Sequence, residues 1–185
     1  LELCVWDVAL VTETWREKKE EIWKMPAGHL FLGSGGLRGE RGVAIIVHRK
    51  HVSGFRAFHA INERICAADL QIFGKRFRFV SAYFPHSNYS DAEVEGVYCE
   101  LNTLCSDARK LRRTIIIGGD WNAVVGKCLE GEDHAVVGAY GLGERNARGQ
   151  SFVEWASTER LAIINTQFRK RDEYHWTHWN GVNHR

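Results

Sequence analysis

The chain has 185 residues, with 25 Lys and Arg against 23 Asp and Glu, a formal net charge of +2, 44% hydrophobic residues and 26% charged ones. These values describe one soluble globular domain able to bury about 70% of the surface its unfolded form exposes, and they exclude disorder, coiled coil and collagen. No apolar run approaches the roughly 18 to 20 residues that cross a bilayer, and the near-neutral balance argues against a purely electrostatic nucleic-acid binder.

Residues 7–12 (DVALVT) form an apolar run without polar alternation, which predicts a strand covered on both faces and ending at Glu13. Residues 15–24 (WREKKEEIWK) mix helix formers with Trp15, Ile22 and Trp23 and read as a short helix or an ordered loop. Gly33 to Gly36 read as a turn leading to a second buried strand over 42–48. That turn, with Arg38 after it, is either a phosphate cradle or a flexible surface loop. Strands over 64–73 and 76–83 follow, joined at Gly74-Lys75 as a two-residue hairpin.

Residues 90–111 repeat apolar side chains at three- and four-residue steps, with Ser90 as N-cap and Glu93 three residues on, so they predict an amphipathic helix. Residues 114–117 (TIII) predict a third fully buried strand that runs into Gly118-Gly119-Asp120-Trp121-Asn122. A second helix over 148–159 should carry Phe152, Val153 and Trp155 inward, and residues 161–164 and 173–177 complete the strands. The class that follows is α+β with layered packing. Of the seven tryptophans, Trp6, Trp15, Trp121 and Trp155 are assigned to the core, and the five cysteines, which form no CxxC pair, read as buried thiols.

The chemistry-bearing residues stand at strand ends: Glu13 after DVALVT, Tyr83 after FRFVSA, and Asp120 with Asn122 after TIIIGG. A rigid strand holds a terminal carboxylate in place, and two such carboxylates suit a hard cation such as magnesium, with waters and a substrate phosphate completing its octahedron. Gly118 and Gly119 would allow backbone to approach a substrate closely. The competing reading is structural: an acid ending a strand is common turn chemistry, and Tyr83 before Phe84-Pro85 suits a packed aromatic. Basic clusters occur at 109–113, at Arg145 with Arg148, and at Arg169, Lys170 and Arg171. The first is a nucleic-acid contact or only a solvated face. The last runs directly into Tyr174, His175, Trp176 and Trp179, the pairing of cations and aromatics that holds a nucleic-acid backbone and stacks bases.

The segments TET (12–14), SAYFP (81–85) and GGDWNAVVG (118–126), supported by GERGVAIIVH, YGLGERNARGQSFVEW and YHWTHWN, resemble the endonuclease/exonuclease/phosphatase superfamily. That superfamily includes deoxyribonuclease I and the apurinic/apyrimidinic endonucleases. The likeness is strongest to the endonuclease domains of RTE-type non-LTR retrotransposons and to craniofacial development protein 2-like proteins. It implies a four-layer α/β sandwich of the deoxyribonuclease I type and a magnesium-dependent DNA endonuclease, with manganese as a substitute ion. By the same likeness Glu13 is the principal metal ligand, Tyr83 contacts the scissile phosphate, Asp120 orients or activates the water or assists the leaving oxygen, and Asn122 holds the phosphate. Substrate contacts are assigned to Asn146, Arg148, Arg169, Arg171, Trp176 and Thr177.

The implied partner is DNA, with a reverse transcriptase domain on the same chain in a complete retroelement protein. The chain is expected to be a monomer without membrane contact, nuclear or cytoplasmic, since its N-terminus is acidic where a signal peptide is basic. The superfamily's upstream Asn strand and its downstream Asp-Tyr and Ser-Asp-His segments have no match in these residues. His175, His178 and His184 stand too early and in the wrong motif to replace them, and the His-x-x-His spacing is a poor metal signal on a strand, where residues three apart face opposite ways. The expectation is therefore a single domain over 1–185, truncated at both ends, without its first strand and C-terminal strands, binding magnesium weakly and cleaving poorly or not at all. Two other readings stand beside it: a phosphoesterase of the same fold acting on another phosphate ester, and a non-enzymatic remnant that binds DNA or protein.

Overall fold

A computed structural model describes residues 5–36 and 40–169, in two compact units divided between Trp121 and Asn122. The first unit contains two four-stranded sheets. In the first sheet, β1 (Val8–Thr12), β2 (Glu21–Lys24), β3 (Leu30–Ser34) and β4 (Val43–Val47) lie in the order β1-β4-β3-β2, all antiparallel. In the second, β5 (Phe55–Asn62), β6 (Ile65–Ile72), β7 (Lys75–Tyr83) and β8 (Thr114–Asp120) follow sequence order. Here β5, β6 and β7 are antiparallel, while β7 and β8 are parallel and are connected through α1 (Asp91–Lys110).

The two-sheet sandwich expected from the sequence is thus present. Its core alternates along the strands, as side chains of period two require. Leu30, Leu32, Val43, Ile45 and Val47 come from one sheet and Cys66, Ala68, Leu70, Ile72 and Phe79 from the other. Helix α1 packs beside β8 and buries Val94, Val97, Tyr98, Leu101, Leu104 and Cys105. Its N-terminus is the anticipated capping box, in which the Ser90 hydroxyl accepts from the Glu93 N–H and the Glu93 carboxylate accepts from the Ser90 N–H.

Several local expectations are corrected. Of residues 15–24, 15–20 are irregular, in keeping with the loop alternative, and 21–24 are a strand: pairing of Glu21 to Lys24 with Gly33 to Leu30 overrides the helix propensity of this charged stretch. The buried Glu21 carboxylate receives both Arg16 Nε and Nη2 at 2.5 Å, which offsets the cost of burying it. Gly33 and Ser34 belong to β3 rather than to a turn, and the buried Ser34 hydroxyl donates to the Asn62 carbonyl at 2.7 Å, joining the two sheets. Strand β5 was not anticipated.

Strands β1 and β8 are half-buried rather than covered on both faces, because each stands at an edge of its sheet among the described residues. The hairpin turn is Phe73-Gly74, both at positive φ as a type I′ turn requires, one residue earlier than expected.

The second unit contains α2 (Ala147–Thr158), which buries Phe152 and Val153 with Trp155 half-buried. Residues 161–164 do not form a strand; Ile163 bridges Val137 in parallel and the chain enters a short 3₁₀ turn, Ile164–Thr166. The strand expected over 173–177 lies outside the described residues. No helix among the described residues is long and apolar enough to cross a membrane.

Candidate active site at the strand ends

Three strands from both sheets end together. Ser81 in β7 donates its buried hydroxyl to the Val11 carbonyl of β1 at 2.9 Å, which aligns the two strands across the sandwich. Two residues further along each strand direction stand Glu13 and Tyr83, near enough for the Glu13 carboxylate to act on the Tyr83 phenol. On the other side, Tyr83 is the parallel register partner of Asp120, and the Phe84 N–H donates to the Asp120 carbonyl at 2.8 Å. Two exposed carboxylates therefore flank one half-buried phenol. Burial first, then the neighbouring Glu13 carboxylate and the charge of Asp120, raise the Tyr83 pKa, against an opposing effect of Arg64. The phenol is a proton-bearing donor at neutral pH.

The glycines before Asp120 serve packing of the strands themselves. A Cβ on Gly118 would lie 2.8 Å from Leu10 Cδ1, and one on Gly119, whose φ is +140°, would lie 1.9 Å from the Ala82 carbonyl oxygen. The close approach they permit within the chain is between β8 and its neighbours β1 and β7.

Among the described residues no group of three or more His, Cys, Asp or Glu gathers as a metal cage. A hard cation that keeps most of its waters needs only one or two carboxylates, and Glu13 with Asp120 around Tyr83 fits that chemistry.

No family model matches the chain. It is 32% identical over 155 residues to craniofacial development protein 2 of Bos taurus and 31% identical over 155 residues to that of Tragulus javanicus. Each alignment takes in 82% of the chain, and the chain spans about a quarter of the length of these curated relatives, 25% and 26%. Among solved structures it resembles the endonuclease domain of TRAS1, a telomere-specific non-LTR retrotransposon. The TM-score is 0.52 at 17% identity, covering 83% of this chain and 58% of that one.

The chain has an endonuclease/exonuclease/phosphatase-like fold.

Within this endonuclease-like fold, Arg64 is the residue near the strand ends that the sequence did not flag. It is buried, donates Nη1 to the Tyr83 carbonyl at 3.3 Å, and sets its guanidinium 5.5 Å from the Tyr83 ring and 4.9 Å from that of Tyr89. Its Nη2 is buried without a partner among the described residues. Arg41 braces the same group, donating to Glu63 at 2.7 Å and to the Tyr89 hydroxyl at 3.2 Å. Hydrogen bonding from Arg41 lowers the Tyr89 pKa, helped by the charges of both arginines. A single basic residue before a strand carries no sequence signal for such a role, since it depends on tyrosines 19 and 25 positions further on.

The remaining assigned residues have other settings. Asn122 opens the second unit at φ +46°. Asn146 is the N-cap of α2: its carboxamide oxygen accepts from the Gly149 N–H at 2.7 Å and from the Val124 N–H at 3.2 Å. Arg148 is half-buried in the first turn of α2 and Arg169 is exposed, while Arg171, Trp176 and Thr177 lie outside the described residues.

Two of the basic clusters are partly absorbed by the fold. Arg145 pairs with Glu132 and donates to the Val125 carbonyl at 2.7 Å, and Arg113 reaches the buried Asp69 at 3.0 Å. Trp15, assigned to the core, is 63% exposed.

Proposed function

We propose that the chain hydrolyses phosphodiester bonds in DNA in the presence of magnesium. The observation that carries this reading is the convergence of Glu13, Tyr83 and Asp120, two carboxylates on a protonated phenol at the ends of rigid strands. Glu13 would hold the cation, which when bound offsets charge accumulating on the phosphoryl oxygens. Tyr83, kept protonated by burial and by Glu13, donates to a non-bridging phosphoryl oxygen. Asp120 accepts the proton of the attacking water as its oxygen bonds to phosphorus. The bond from phosphorus to the 3′ oxygen breaks, and that oxygen takes a proton from solvent, leaving a 3′-hydroxyl and a 5′-phosphate.

DNA as substrate is supported by the fold shared with the endonuclease domain of TRAS1 and by the run of basic and aromatic residues from Arg169 to Trp179. Conversion of supercoiled plasmid to the open circle, followed with magnesium and with EDTA, tests the proposal. Glu13→Gln and Asp120→Asn should each slow nicking by about 100-fold or more, the scale on which a single transition-state contact acts. A chain that leaves the plasmid intact, or variants that nick as fast as the unaltered chain, would overturn it.

A further inference from the structure

We infer that Trp15 is a nucleobase-stacking residue that seats the DNA strand beside the scissile phosphate, an inference that rests on the strand-end site being a DNA site. A tryptophan is a large apolar surface, and 63% of Trp15 is left in solvent, where a base could gain by covering it. The other exposed aromatics of this unit have ring partners: Trp23 lies 5.1 Å from Phe31, and Phe73 meets His51 edge-on at 5.4 Å. Trp15 has no ring partner among the described residues.

Its backbone is nevertheless held on both sides. The Trp15 N–H donates to the Arg41 carbonyl at 2.9 Å and the Thr14 N–H to the Gly42 carbonyl at 3.1 Å. Next along the chain, the Arg16 carbonyl accepts from the Gly36 N–H at 3.2 Å, and the Arg16 guanidinium clasps the buried Glu21. A Cβ on Gly42 would lie 2.4 Å from Thr14 Oγ1, so the two segments are in close contact. Both Glu13 and Trp15 are kept in the left-handed region, at φ +55° and +54°, which a bulky residue adopts only when its surroundings impose it. The structure thus presents an exposed indole on a firmly held backbone.

Position supplies the ligand. Only Thr14 separates Trp15 from Glu13, so their Cα atoms are at most about 7 Å apart. Successive nucleotides of one strand rise about 3.4 Å along duplex DNA, so a phosphate engaged at Glu13 brings the bases flanking it within reach of the indole. Stacking on an aromatic face suits any base, provided that the base is unpaired or locally unstacked.

The test is binding without catalysis. The full chain in EDTA is titrated against a fluorescein-labelled single-stranded oligonucleotide, and against the same backbone carrying abasic residues. The unaltered chain should bind the base-bearing strand more tightly. Trp15→Ala should lose about 5- to 100-fold of that affinity and no longer distinguish the two strands, while Trp15→Phe retains most of the discrimination. Equal binding by Trp15→Ala and the unaltered chain would overturn the inference, and so would a fall in affinity that leaves the base-dependent difference intact. Plasmid nicking reports separately on hydrolysis: base-dependent binding through Trp15 with no nicking would sink the proposed reaction and leave this assignment standing.

Discussion

The Ser81 hydroxyl donates to the Val11 carbonyl at 2.9 Å, joining β7 to β1 across the sandwich two residues before Tyr83 and Glu13. Ser81 is fully buried, so its hydroxyl is closed to water. Ser81→Ala should cost about 1 kcal/mol and lower the melting temperature by about 2 to 4 °C, as read by circular dichroism. Because Glu13 and Tyr83 are aligned through this bond, any nicking activity should fall by more than the small loss of folded protein accounts for. An unchanged melting temperature would show that the sheets are aligned by packing alone.

Two glycines should respond in opposite directions to the same substitution. Gly119 sits at φ +140° with the Ala82 carbonyl where a Cβ would go, so Gly119→Ala must push β8 away from β7 at the step before Asp120. It should destabilise the chain by more than 1 kcal/mol. Gly96 lies in the exposed interior of α1 with nothing within 4 Å of an added Cβ. Gly96→Ala removes backbone freedom from the unfolded chain and should stabilise by about 0.5 to 1 kcal/mol. Urea midpoints of the two variants measured side by side decide both.

The site residues and the fold were legible to different degrees for physical reasons. Glu13, Tyr83 and Asp120 stood out because each breaks an apolar run at the point where a strand leaves the core, a local feature of the sequence. Helix α1 was legible because its period and its Ser90-Glu93 cap lie within one stretch of chain. Strand β2 was not, since its charged residues favour a helix and only pairing with β3 makes them a strand. Arg64 and Asp69 were invisible for the same reason: a buried charge is tolerated only through partners distant in sequence. Trp15 was misassigned because apolarity alone places a tryptophan inside, while the backbone bonds to Arg41 and Gly42 hold it out.

Asn146 offers a direct separation of structural from substrate roles. Its side-chain oxygen takes the Gly149 and Val124 N–H groups, both within the second unit. Asn146→Ala should cost about 0.5 to 2 kcal/mol as the cap is lost, whereas Asn146→Asp keeps an acceptor at the helix N-terminus and should retain stability. Introducing that negative charge beside a DNA backbone would weaken binding. Thermal melts and oligonucleotide affinities measured on both variants therefore distinguish the cap from a nucleic-acid contact: a stable Asn146→Asp with undiminished affinity assigns the residue to the fold.

Asp69 is the buried charge centre of the second sheet. It receives Arg78 Nε at 2.8 Å and Nη2 at 2.9 Å, Arg113 Nη1 at 3.0 Å and His59 at 3.1 Å. Burial acts to raise its pKa, but the hydrogen bonds from Arg78 and His59 and the charges of both arginines overcome this and hold the carboxyl below its ordinary 3.8. A depressed carboxyl binds its proton more readily in the unfolded chain. Its stabilising contribution is therefore complete above about pH 3.8 and is lost as the pH falls through the lower folded value. Removing it leaves Arg78 buried without its partner, so Asp69→Ala should destabilise by about 3 to 5 kcal/mol. Asp69→Asn has no proton to gain, and its urea midpoint should fall less steeply than that of the unaltered chain when both are followed below pH 4. Parallel curves for the two proteins would place the acid sensitivity of the fold at other carboxylates.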